Sequence, residues 1–294
     1  MDNQKHQLEM PSWLITVAPQ PETMNRINSL LNQGELSTVC DWANCPNIGE
    51  CYSHGTATFL ILGRICTRGC SFCPLQGGVP TQPDETEPEN VAKTVKALGL
   101  KHVVITAVSR DDLPDGGANH FAKTIRAIKR MCTDTSVEVL IPDFQGSPEA
   151  IRIVVDAAPD VIGHNLETVP RQYEQVRSQA SYARSLDVLA LVKQANKKIW
   201  AKSGIMLGLG EKEEEVLQVL RDLRRVNCDF LTLGQYLQPS GVHFEVVEYV
   251  PPEKFDQYGE IALEMGFVRV LSCPLARSSY RAGEMLKGLE CALT

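Results

Sequence analysis

The chain of 294 residues holds no apolar run near the roughly 20 residues needed to span a bilayer, so a membrane partner is not expected. Its opening, MDNQKHQLEMPSWL, lacks the apolar stretch of a secretory leader and the arginine-rich, acid-poor character of a transit peptide. A soluble, cytoplasmic protein is the expectation. Blocks of basic residues are missing as well. KRMC and NKKIW are too short to track a phosphate backbone, and 36 acidic against 29 basic residues leave a net charge of −7, so no nucleic-acid partner is expected. There is no low-complexity segment and no repeat beyond a β/α unit. The glycines of SGIMLGLGE lack the spacing of a dinucleotide fingerprint and read as a turn.

Cysteine, by contrast, is plentiful at ten residues. With no leader to direct export, clustered thiols point to metal or redox work rather than a disulfide framework. Cys40, Cys45 and Cys51 form a C-x4-C-x5-C run, and Cys66, Cys70 and Cys73 form C-x3-C-x2-C. Cys132, Cys228, Cys273 and Cys291 are scattered and read as small hydrophobes.

Thiolates so closely spaced suit zinc or an iron–sulfur cluster. Structural zinc closes a tetrahedron with four ligands, and neither trio supplies a fourth cysteine, although His54 offers one to the first. A [4Fe–4S] cube needs one outside ligand per iron. Three cysteines leave one iron open, which is the arrangement of a reactive cluster rather than an electron wire. Phe72, inside CSFC, reads either as a cover for that cluster or as an ordinary loop hydrophobe.

From about Ala57 onward, strands at 56–63, 102–108, 136–142, 161–167, 198–210 and 230–237 alternate with amphipathic helical patterns. Six such units imply an α/β protein with a parallel sheet, built as an open doubly wound sheet or as a barrel. Chemistry then sits at the carboxyl ends of the strands. The C-x3-C-x2-C run, SRDDLPDGG, PDFQG, HNLET, SGIMLGLGE and QYLQPS all fall there, so all six loops are expected around one site.

C-x3-C-x2-C after the first strand of a β/α core resembles the radical S-adenosylmethionine superfamily. CDWANCPNIGECYSHGTATFLILGRICTRGCSFC, RDDLPDGGANHFA, IPDFQG, HNLETVPR, SGIMLGLGE, YLQPS and RSSYRAGE together resemble the lipoyl synthase family, from Trp13 to Glu284. The resemblance implies a partial (β/α)6 barrel over 56–240. An N-terminal extension over 1–55 would carry the first trio, and a C-terminal extension over 241–294 would carry RSSY. It implies two [4Fe–4S] clusters and S-adenosyl-L-methionine as cofactors. Cys66, Cys70 and Cys73 would hold the cluster whose open iron chelates S-adenosylmethionine. Cys40, Cys45 and Cys51 would hold an auxiliary cluster, its fourth ligand Ser278 or, favoured, Ser279.

The implied reaction cleaves S-adenosylmethionine to a 5′-deoxyadenosyl radical, which abstracts hydrogen from C6 and then C8 of an octanoyl chain on a carrier-domain lysine. Sulfur from the auxiliary cluster is inserted at both carbons, so Ser279 counts with the second trio among the catalytic residues. By the same resemblance Asn165 and Glu167 meet the cofactor ribose and Arg184 its carboxylate, with Thr106, Ser109 and Lys202 as further contacts. From the residues alone, the alternative for Glu167 and Thr168 is a helix N-cap before Pro170. Implied partners are octanoylated carrier domains (2-oxoacid dehydrogenase E2 and the glycine cleavage H protein), an electron donor such as ferredoxin or flavodoxin, and iron–sulfur assembly proteins. Cys273 stands where the family commonly has glycine. The competing readings are a biotin synthase-like or methylthiolating relative and a non-catalytic iron–sulfur protein. The first trio and RSSY argue against the former, and the incomplete ligand sets against the latter.

Overall fold

The computed structural model describes residues 9–16, 21–43, 45–53 and 56–289. After helix α1 (Pro21–Gln33), the short strand β1 (Ser37–Thr38) leads into α2 (Val39–Trp42) and α3 (Ile48–Ser53). Strand β2 (Thr58–Ile61) opens the parallel sheet, and a two-stranded ribbon, β3 (Ile65–Cys66) with β4 (Gln76–Gly77), brackets the second cysteine trio. The units then follow in order: α4 (Glu87–Leu98), β5 (His102–Ala107), α5 (Ala118–Met131), β6 (Ser136–Leu140), α6 (Pro148–Asp156), β7 (Val161–Gly163). They continue through α7 (Tyr173–Val176), α8 (Tyr182–Ala195), β8 (Trp200–Leu207), α9 (Glu213–Arg225) and β9 (Phe230–Gln235). Last come α10 (Pro252–Glu264), β10 (Arg269–Ser272) and α11 (Ala282–Leu286).

The sheet runs β1-β2-β5-β6-β7-β8-β9-β10, with only β1 antiparallel. The parallel strands follow one another in sequence order without a reversal. A doubly wound sheet requires a reversal, so this order selects the barrel. Right-handed crossovers in one direction put every helix on one face and curl the sheet around the other. It stays open between β1 and β10 among the described residues, which makes it a partial barrel.

Residues alternate accordingly. Phe59, Ile61, Val103, Ile105, Val137 and Val139 face the helices in one large core. In α9 the stripe Val216, Val219, Leu220 and Leu223 is fully buried at helical spacing. Two helices start on a capping serine: Ser147 Oγ accepts from Ala150 N at α6, and Ser181 Oγ from Arg184 N at α8. No helix among the described residues is long and apolar enough to cross a membrane.

All six expected strands are present. The fourth is shorter than expected, since HNLE leaves the ladder after Gly163 and rejoins it through a single bridge from Glu167 to Ile205. The seventh β/α step, α10 to β10, was not expected from the pattern.

Candidate metal centres and cofactor site

Tight backbone turns gather the first trio. Cys45 N donates to Cys40 O at 3.1 Å and Cys51 N to Asn47 O at 2.9 Å. Asn47 Nδ2 then donates to Leu275 O at 2.6 Å, fastening this segment to the chain's far end. The result is a narrow pocket lined by Cys40, Cys45 and Cys51 together with Arg277, Ser279 and Tyr280, and closed by Thr56 and Thr58 at the amino end of β2. Among the described residues, no carboxylate lines it. Of the two serines left open by the sequence, Ser279 faces this pocket, whereas Ser278 Oγ accepts from Asn165 Nδ2 at 2.6 Å.

The donor set fits a polynuclear cluster. Burial pushes the Cys51 thiol up to about 12, with Cys40 and Cys45 adding to the rise, and burial raises Cys45 as well. Such thiols stay protonated unless positive charge arrives. Irons would supply it, and Arg277 on the wall, its own value lowered by burial, adds a cation that faces Cys45 and Cys273. Among the described residues, no three His, Cys, Asp or Glu side chains converge on a single-ion position. One thiolate per iron is what a four-iron cube asks of each trio. His54 and Cys291 lie outside the described residues, and no disulfide joins the described cysteines.

The second trio sits on the loop after β2. Two backbone amides, Arg68 N and Ser109 N, each donate to Cys66 Sγ at 3.3 Å, a pair of dipoles suited to a ligating thiolate. Burial raises Cys70 and carries Cys73 to about 12, with the other two thiols and Glu167 contributing. The loop is pinned from three sides. Ser71 N donates to Val176 O, Phe244 N donates to Ser71 O, and His243 Nε2 lies 3.1 Å from Cys73 O. Phe72 packs with Val176, Leu209, Tyr236 and Phe244, which anchors the loop.

Asn165 and Glu167 follow β7 near this loop. Glu167 adopts a left-handed backbone (φ 67), and burial raises its carboxyl against the pull of Arg177. The short helical turn at Pro170 is capped by Val169 without a side chain, so Glu167 and Thr168 are not an N-cap. Arg184 pairs with Asp143 at 3.2 Å. Thr106, at the carboxyl end of β5, donates to Leu140 O at 3.1 Å. Lys202 stands apart. It is the third residue of β8 rather than at its carboxyl end, and it is buried in the barrel, 2.8 Å from Glu138.

Four residues were missed in the sequence. Arg177 is buried, donates to Asn165 O, Leu166 O and Tyr173 Oη, and keeps Nε without a partner. Burial alone would lower it, but Tyr173, Glu167 and Cys70 hold it up. Arg68 forks across Asp111 and reaches Asp143 at 2.6 Å, tying the cysteine loop to the end of β6. His243 and Arg277 complete the set. Arginines next to cysteines (TRGC, CPLAR) were the available signal for two of them.

The six loops converge on one site as expected, Arg68 of the cysteine loop reaching Asp111 and Asp143 and Phe72 packing with Leu209 and Tyr236. The second trio, HNLE and the 236–250 loop meet at the carboxyl ends of the strands. The first trio packs against Thr56 and Thr58 at the opposite end of β2, because α2 and α3 approach from the open edge of the sheet.

Comparison with known proteins agrees with this geometry. The sequence pattern of the Radical SAM superfamily matches residues 60–223. Lipoyl synthase of Caldanaerobacter subterraneus subsp. tengcongensis is 56% identical over 92% of this chain and 95% of its own. That of Caldicellulosiruptor saccharolyticus is 52% identical over 96% and 99%. Among solved structures, Streptococcus suis SuiB bound to S-adenosylmethionine superposes with TM-score 0.59 at 10% identity, over 78% of this chain and 54% of that one. TYW1 with a lysine-pyruvate adduct superposes with TM-score 0.55 at 16% identity, over 84% and 90%. At such identities these two share the fold alone. The chain belongs to the lipoyl synthase family of the Radical SAM superfamily.

Proposed function

We propose that the protein inserts two sulfur atoms, at C6 and C8, into an octanoyl chain amide-linked to a carrier-domain lysine, using S-adenosyl-L-methionine. The observation that carries this reading is the meeting of Cys40, Cys45, Cys51 and Ser279 on one pocket, while a second trio holds the carboxyl end of the same sheet. Cys66, Cys70 and Cys73 would hold one [4Fe–4S] cluster with an open iron for S-adenosylmethionine, and the first trio with Ser279 a second. When bound, these groups supply a 5′-deoxyadenosyl radical for hydrogen abstraction and sulfur for the two new bonds.

The chain's own residues position and enclose. Asn165 and Glu167 offer an amide and a carboxylate to vicinal ribose hydroxyls, and Arg177 and Arg184 lie near enough to Glu167 and Asp143 to face a carboxylate ligand. Thr106 and Ser109 border the same end of the sheet. His243 and Phe244 hold the cysteine loop against solvent. Ser279 is a hard, weak ligand among soft thiolates, so the iron it holds is the one most readily released, as a cluster that gives up sulfur requires. The working partners are octanoylated carrier domains, a ferredoxin- or flavodoxin-type electron donor and iron–sulfur assembly proteins, in the cytoplasm.

Anaerobic reconstitution is expected to give about eight irons per chain, from two four-iron clusters. Reductant, S-adenosylmethionine and an octanoylated carrier should then yield 5′-deoxyadenosine and a mass gain on the carrier. Four irons, or 5′-deoxyadenosine without sulfuration, would sink the reading. Ser279→Cys should keep both clusters but impair the second insertion. Full lipoyl yield from that variant would remove the role given to the serine.

A further inference from the structure

The proposed reaction leaves one large cavity unused. At the amino ends of the strands, opposite the Cys66–Cys73 loop, lies an open groove of about 880 Å³. Its floor is the start of β5, β6 and β7, at His102, Ser136 and Asp160. The groove and the narrow cysteine pocket have Cys51, Thr56 and Tyr280 in common, so the two cavities meet there.

A clasp stands at this junction. Tyr280 Oη donates to a Glu50 carboxylate oxygen at 2.8 Å, and Arg281 Nη2 and Nε donate to the other at 3.1 and 3.3 Å. Glu50 precedes Cys51, and Tyr280 and Arg281 follow Ser279. The clasp therefore joins the two halves of the donor set, α3 and the RSSY turn, across 230 residues of chain. Two features let it open. Arg281 has φ 51, a left-handed backbone that costs an L-residue energy, so the turn is held under strain. The Glu50–Arg281 ion pair is also half-exposed, at 39% and 51%, and exposed pairs contribute little.

We propose that this groove is a second entrance to the auxiliary centre, gated by Glu50, Tyr280 and Arg281. Iron and sulfide pass through it to and from carriers bearing thiolate or carboxylate donors, while S-adenosylmethionine and the octanoyl chain use the carboxyl end. This rests on reading the first trio with Ser279 as an auxiliary cluster site. The groove reaches Cys51 directly.

The test uses the anaerobically reconstituted full chain and a sulfonated ferrous chelator as probe. Iron capture is followed by absorbance, and Mössbauer spectra assign which cluster loses it. Glu50→Gln removes the charge of the clasp and is expected to speed capture from the auxiliary centre about three- to fivefold, the worth of one exposed ion pair. Capture from the other cluster should not change. Thr133→Trp fills the groove at an exposed wall position remote from the donors, so the core stays intact. It should slow auxiliary iron capture and cluster rebuilding several-fold, leaving 5′-deoxyadenosine formation and octanoyl-carrier binding as in the parent. Unchanged capture in cluster-loaded Thr133→Trp overturns the proposal, as does equal acceleration at both clusters in Glu50→Gln. Loss of octanoyl-carrier binding in Thr133→Trp, with capture unaffected, would make the groove the substrate's path and overturn it too. A parent protein that binds only four irons fails the two-cluster reading instead, and is recognised before any variant is made.

Discussion

Ser278 and Ser279 divide one turn between two centres. Ser278 Oγ accepts from Asn165 Nδ2, and the pair packs over Gly204, where an added Cβ would lie 3.2 Å from Asn165 Oδ1 and 3.4 Å from Ser278 Oγ. Ser279 turns the other way, into the cysteine pocket. Ser278→Ala removes the acceptor that orients Asn165, a loss of about 1 kcal/mol, or about fivefold in S-adenosylmethionine affinity. Auxiliary iron should be unaffected. Ser279→Ala should do the reverse, losing that iron and keeping the affinity. Equilibrium binding and iron per chain measure both, and an auxiliary iron loss in Ser278→Ala would mean the serines have exchanged roles. The RSSY resemblance brought the choice down to these two residues but not to one, because adjacent side chains in a turn differ only in direction. Arg177 was illegible for a related reason. In EQVRSQ it reads as a solvated arginine, and only the docking of α7 beneath the cysteine loop buries it.

Among the elements, the return of the tail to the sheet depends on a glycine inside a strand. An added Cβ at Gly234 in β9 would lie 2.1 Å from Ala276 O, a backbone atom with no freedom to yield. A glycine in a strand interior marks such a close approach, and FLTLGQ carried that signal. Gly234→Ala should displace the turn at Arg277–Ser279 and lower auxiliary iron per chain. The other cluster and the far-ultraviolet dichroism should stay as in the parent, because the remaining β9 ladder to β8 is untouched. Full iron content in that variant would show that the tail can be held elsewhere. The six β/α units were legible since each strand is covered on both faces and reads as a near-continuous apolar run. The seventh, α10 with β10, was not. At the open edge, Arg269–Ser272 are all only half-buried, so the strand reads as a mixed segment. Even so, PPEKF carried a helix-start signal, prolines just ahead of and at the first turn of α10.

Over the whole molecule, the singly wound sheet has a polarity that the chemistry follows, with one trio at its carboxyl end and the other at its amino end. Between them the interior carries ionised groups: Lys202 pairs with Glu138, and Arg68 with Asp143. Burial alone would raise Asp143, but the bonds and charge of Arg68 bring it down to about 2. That contribution is present above the unfolded value of 3.8 and is lost only as pH falls toward 2. His164 acts in a milder range. Its Nδ1 lies 2.9 Å from Ile141 O and its Nε2 3.1 Å from Ser185 Oγ, so a neutral ring donates to the carbonyl and accepts from the hydroxyl. Burial, with Arg177 adding to it, lowers His164 to about 4 from an ordinary 6.5. Its folded value lies below its unfolded one, so the unfolded chain takes up a proton first, and stability falls as pH drops from 6.5 toward 4. Between pH 7.5 and 5 the loss contributed by His164 is about 2 kcal/mol, in a range well above the acid window of Asp143. Urea midpoints of the cluster-loaded protein across that interval should shift accordingly. In His164→Gln, which keeps an amide donor and acceptor but cannot titrate, the shift should flatten. A slope as steep in the variant as in the parent would place the proton elsewhere.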